Sequence, residues 1–96
     1  MNRATALQML TEHKAQVIKR FGVVSLALFG STARDAAKPG SDVDLLVSFA
    51  GPATSAQFFG VQFYLEDLLG CPVDLVTEKA LRPELRPYVL KDAVHV

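Results

Sequence analysis

Several absences narrow the reading of this sequence before any motif is considered. A single cysteine, Cys71, excludes an internal disulfide and a cysteine-based zinc cluster. The two histidines, His13 and His95, stand at opposite ends of the chain, without the local spacing of a zinc motif. No serine-histidine or cysteine-histidine arrangement for nucleophilic catalysis is visible from spacing. Charge of one sign is not in excess: ten Lys and Arg balance ten Asp and Glu. That balance argues against stable nucleic-acid binding, which calls for a basic surface. No apolar run approaches the roughly 20 residues a membrane helix needs. Arg3, Gln8, Glu12 and His13 interrupt the N-terminal stretch where a signal peptide would carry its apolar core. The expectation is a soluble, cytoplasmic protein with no membrane association.

What is present is a globular composition. Half of the 96 residues are apolar, enough for one domain, residues 1–96, with a modest core. The spacing of Leu7, Leu10, Val17, Ile18 and Phe21 predicts a helix from about Thr5 to Arg20. Thr5 or Thr11 is a candidate cap, the latter implying a break in the helix, and Gly22 suits its end. Val23 to Phe29 reads as a buried strand with Ser25 its only polar residue, and Ser31 to about Ala37 as a short helix with Ser31 near its cap. After the Lys38-Pro39-Gly40-Ser41 turn, Val43 to Phe49 reads as a second strand. A second long helix, capped by Thr54 or Ser55, runs to about Leu69 with the apolar set Phe58, Phe59, Val61, Phe63, Leu65, Leu68 and Leu69. Val73 to Thr77 is a third strand, a last helix begins near Pro83 or Pro87, and Ala93 to Val96 is an edge strand or a partner-binding extension. The order implies an α/β domain with a three- or four-stranded sheet packed by helices.

The chemistry gathers in two stretches. Asp42 and Asp44 flank Val43, and side chains two apart on a strand share a face. Two carboxylates so placed are costly unless solvated, hydrogen-bonded or bound to a cation. Asp74 interrupts the apolar third strand; if that strand neighbours the second, three carboxylates converge, an oxygen-rich set suited to Mg²⁺. The alternatives are a solvated turn for Asp42 and Asp44, and pairing of Asp74 with Arg82 or Arg86. Gly30-Ser31 supplies a glycine turn at a helix start, where backbone N–H groups and a hydroxyl face a phosphate. Arg34, one turn on, suits a phosphate, or a partner such as Asp35 or Asp42.

Taken together, Gly30-Ser31-Thr32-Ala33-Arg34-Asp35 and Ser41-Asp42-Val43-Asp44-Leu45 resemble the signature of the minimal nucleotidyltransferases, the MNT family of the DNA polymerase β-type nucleotidyltransferase superfamily. The resemblance covers nearly the whole chain and implies a small palm-like domain with a mixed sheet. It implies Asp42, Asp44 and Asp74 as catalytic metal ligands, with Gly30, Ser31 and, in support, Arg34 at the nucleotide. It further implies Mg²⁺ as cofactor, ATP as substrate, and transfer of AMP to a hydroxyl acceptor. Many members pair with a separate HEPN-fold toxin and act as its antitoxin, and some transfer AMP to a tyrosine of that toxin, so a hetero-oligomer with such a partner is expected, beside a homo-oligomer. One departure is Asp35, where the family has glycine; it places negative charge near the expected phosphate route. The competing readings are a transferase-like protein that silences a partner by contact alone, and an RNA-modifying enzyme with a basic stripe of Lys14, Lys19, Arg20, Arg34 and Lys38.

Overall fold

In the computed structural model, which describes all residues from Met1 to Val96, the chain runs α1 (Arg3–Phe21), β1 (Val23–Phe29), α2 (Gly30–Ala33), β2 (Val43–Phe49), α3 (Ser55–Leu69), β3 (Val73–Thr77), α4 (Arg86–Asp92) and β4 (Val94–His95). The four strands form one mixed sheet in the order β3-β2-β1-β4. β1 is antiparallel to both β2 and β4, whereas β2 and β3 are parallel and joined through α3. That parallel pair needs a crossover, which the length of α3 provides.

The register assigns each side chain to a face. Leu28 opposite Leu45 and Leu26 opposite Val47 lie on the face that joins Val43, Val73 and Leu75 to Ala6, Leu10 and Val17 of α1 and Val61, Leu65 and Leu69 of α3. This is the core. The other face carries Phe29 opposite Asp44, Ala27 opposite Leu46, and Ser25 opposite Ser48, whose hydroxyls are hydrogen-bonded. The acidic residues of β2 and β3 are therefore held away from the core by strand alternation.

The helix ends differ from the expected ones in informative ways. α1 is continuous through Thr11, and its cap is Asn2, whose side chain accepts the Thr5 N–H. Thr5 and Thr11 are both interior, because Asn2 caps one turn ahead of the first apolar repeat. Gly22 ends α1 as expected, with φ 71°. Thr54 caps α3 in a reciprocal box with Gln57. Phe59 and Phe63 are half-exposed and stack on each other, so the apolar stripe of α3 is wider than the face it buries. α4 starts at Arg86 with Pro87 in its first turn, the later of the two expected starts. The tail forms the edge strand β4.

Candidate active site

The glycine turn after β1 and the acidic residues of β2 meet at one end of the two strands. β1 delivers Gly30 at φ +72°, a left-handed conformation that favours glycine. A Cβ at Gly30 would overlap the Asp44 carboxyl group, whose Cγ would lie 3.0 Å away. The turn backbone thus lies directly against Asp44, and glycine is required both by its dihedral angle and by that contact. α2 is pinned by burial of Thr32 and Ala33, leaving Ser31 half-buried and Arg34 exposed.

α2 is shorter than the expected helix to Ala37, and Asp35 is the reason. Asp35 has φ +57°. The Ala36 N–H donates to the Ser31 carbonyl and the Asp35 N–H to the Thr32 carbonyl. This is a Schellman ending with Asp35 at the left-handed position, where glycine predominates in general. Aspartate tolerates that conformation better than most residues. Its carboxylate accepts the Arg3 backbone N–H at 3.1 Å, in the first turn of α1. The Asp35 charge is therefore engaged at the positive end of α1.

Asp44 and Asp74 are direct partners in the parallel register of β2 and β3. Two bonds fix the start of β3. The Val43 N–H donates to the Pro72 carbonyl, and Glu66 of α3 accepts the Val73 N–H at 3.0 Å. Asp44 is partly buried, while Asp42 and Asp74 are exposed. Burial, then the neighbouring charge of Asp74 and a side-chain hydrogen bond with it, then Asp42, push the Asp44 carboxyl up to about 6, against a smaller opposing pull from Arg34. At neutral pH this is a carboxylate with unmet electrostatic demand. The three acidic groups are not gathered into a ready three-ligand cage; Asp42 precedes the strand and faces solvent. The donor set nonetheless fits a hard divalent cation, because all three are oxygen ligands and a cation relieves the repulsion at Asp44.

The sheet sets Asp44 beside Asp74 and packs the Gly30 turn against Asp44, whereas Asp42 stands before β2 and the three expected carboxylates form no group placed to hold a metal ion. Neither Arg82 nor Arg86 forms an ion pair with Asp74. Arg34 takes a different partner from Asp35 or Asp42: its Nη1 is 2.5 Å from the carboxylate of Asp92, at the end of α4. Asp92 had no signal in the sequence, being 58 residues from Arg34. Of the expected basic stripe, Arg34 follows the glycine turn beside Asp44, whereas Lys19 and Arg20 lie in the last turn of α1. Arg20 lies over the rings of Phe21 and Tyr64, about 25 Å along α1 from Arg3 at 1.5 Å per residue.

Comparison with known proteins identifies the family. The nucleotidyltransferase domain family matches residues 10–96, and the chain belongs to that family. It is 42% identical over 87 residues to the protein adenylyltransferase MntA of Thermococcus cleftensis, covering 91% of this chain and 88% of that protein. A solved structure described as a minimal nucleotidyltransferase superposes with a TM-score of 0.82 at 39% identity, covering 98% of this chain and 95% of the other. A chain of the tri-AMPylated Shewanella oneidensis HEPN toxin in complex with MNT antitoxin shares the fold, with a TM-score of 0.66 at 19% identity over 92% of this chain and 69% of that one. No helix is long and apolar enough to cross a membrane.

Proposed function

We propose that this chain is a metal-dependent protein adenylyltransferase that moves AMP from ATP to a tyrosine hydroxyl of a HEPN-fold partner, and so acts as its antitoxin in the cytoplasm. The observation that carries the reading is the Asp44–Asp74 pair across two parallel strands, packed against the Gly30 turn. ATP as the donor is supported by the 42% identical Thermococcus relative, named a protein adenylyltransferase. The partner rests on likeness of fold to the Shewanella antitoxin complex.

Asp42, Asp44 and Asp74 would hold Mg²⁺, which when bound supplies charge neutralisation at the triphosphate and a more acidic acceptor hydroxyl. The turn that opens at Gly30 offers backbone N–H groups to a phosphate, while the missing Gly30 side chain makes room for the Asp44 carboxyl. Ser31 offers a hydroxyl donor, and the Arg34 guanidinium offers charge-assisted hydrogen bonds to phosphate oxygens. The acceptor oxygen bonds to the α-phosphorus as the bond to the β-phosphate breaks. Pyrophosphate leaves, and Asp74, the exposed member of the pair, receives the hydroxyl proton. Asp44, wedged between the turn and Asp74, keeps these groups in register.

The assay is transfer of α-phosphate label from ATP to the co-purified partner. Asp42→Asn and Asp44→Asn are expected to abolish it; unchanged transfer in both would contradict the assignment of the carboxylates.

A further inference from the structure

Asp92 belongs to no recognised motif, yet it makes the one salt bridge in the molecule, with Arg34. The helix that carries it is otherwise loosely held. α4 has no buried residue, and Tyr88 and Leu90 within it and Leu85 at its N-cap are exposed. What fixes its end is β4, two residues further on. Val94 and His95 pair with Leu28 and Ala27 of β1, and the Val96 N–H donates to the Leu26 carbonyl. β1 is the strand that runs into the Gly30 turn. The edge pairing thus brings Asp92 to the back of α2, where Arg34 closes the helix with its N–H on the Gly30 carbonyl.

The contact uses one guanidinium nitrogen, Nη1, on one carboxylate oxygen. The Arg34 side chain is 54% exposed and that of Asp92 is 24% exposed, so the arginine keeps free donors on its open side. Arg34 is the C-cap of the short helix that opens at Gly30, so its free donors sit on the same small element as the turn packed against Asp44.

We propose that Asp92 is a positioning residue: it fixes the Arg34 guanidinium and presents its free donors to the triphosphate of the nucleotide. The C-terminal helix thereby becomes part of the nucleotide site without touching the nucleotide. This inference rests on the adenylyltransferase reading, through the role given there to Arg34.

The test is equilibrium binding of ATP to the purified full chain, with the KM for ATP measured beside it in the transfer assay. Arg34→Ala is expected to weaken ATP binding about tenfold, the scale of a lost charge-assisted hydrogen bond. Asp92→Asn is expected to weaken it roughly three- to fivefold and to raise KM with little change in kcat, since it misaims a donor without removing it. Asp92→Glu restores part of the loss. The double variant binds no more weakly than Arg34→Ala alone, because Asp92 acts only through Arg34. Wild-type affinity in Asp92→Asn, or losses that multiply in the double variant, would overturn the inference. A merely structural role for Asp92 gives the multiplying result and no rescue by glutamate. ATP binding that is intact but uncoupled from Asp92 contradicts this inference alone, whereas AMP transfer that survives Asp44→Asn contradicts the underlying reading alone.

Discussion

At the scale of single residues, Asp44 holds the tension in this molecule. Its carboxyl is pushed up to about 6 by burial, by Asp74 and by Asp42. The folded protein therefore binds a proton that the unfolded chain releases near the ordinary value of 3.8. Between about pH 4 and pH 6 the native state holds more protons, so this group's effect on stability worsens as pH rises and is constant above that window. Asp44→Asn removes the buried charge and should stabilise the metal-free protein at pH 7.5. With solvent screening taken into account the gain is about 1 kcal/mol, or roughly 4–8 °C in Tm for a domain of this size. Thermal melts at pH 7.5 and pH 4 should show that gain shrinking at the lower pH; a pH-independent difference would contradict it. The same substitution should abolish transfer, so stability and activity move in opposite directions.

Gly30 and Asp35 both take left-handed conformations, with opposite consequences. Gly30→Ala meets the dihedral penalty and collides with Asp44. It should cost about 1–3 kcal/mol and displace the carboxylate, with loss of transfer in the same preparation. At Asp35 a glycine suits the backbone, while the lost bond to the Arg3 N–H frees one turn of α1. Asp35→Gly should leave AMP transfer near the wild-type rate, because the carboxylate serves α1 and not the phosphate route. A large rise in activity would show instead that the charge interferes with nucleotide binding.

At the scale of elements, the strands were legible because burial on one face writes itself into composition: Val23 to Phe29, Val43 to Phe49 and Val73 to Thr77 have the bounds that the apolar runs suggested. The cap of α3 was readable only as Thr54 or Ser55, and the reciprocal box with Gln57 decides for Thr54. Asn2 was not, since its only signal is one side chain ahead of a stretch with little periodicity. The end of α2 was hidden by a competition that local propensity does not resolve: Ala36 and Ala37 favour helix, while the Schellman bonds turn the chain at Asp35. The convergence of Asp44 with Asp74 depended on β2 and β3 being neighbours, which spacing alone leaves open. The Arg34–Asp92 pair was illegible for the same reason at longer range, because a two-residue edge strand decides it.

Glu66 shows how an element outside the site governs it. It reaches from α3 to accept the Val73 N–H, where Pro72 has no N–H to offer. Glu66→Ala leaves that part-buried N–H unpaired, a loss of about 1–3 kcal/mol. It also loosens β3 one residue before Asp74. Transfer should fall more than the loss of folded protein explains, measured as kcat on the fraction that is folded at assay temperature.

At the scale of the whole molecule, the sheet divides the labour. One face, covered by α1 and α3, supplies the core; the other presents the acidic pair beside the glycine turn. The balanced charge of the chain suits an acceptor carried by a protein better than a nucleic-acid strand. The most direct measurement is the intact mass of the proposed HEPN-fold partner, purified with this chain and then incubated with ATP and Mg²⁺. A gain of one or more AMP units that is lost with Asp44→Asn is the predicted result. A partner that is silenced at unchanged mass, with neither ATP nor Mg²⁺ required, would contradict the account and leave binding alone as the mode of action.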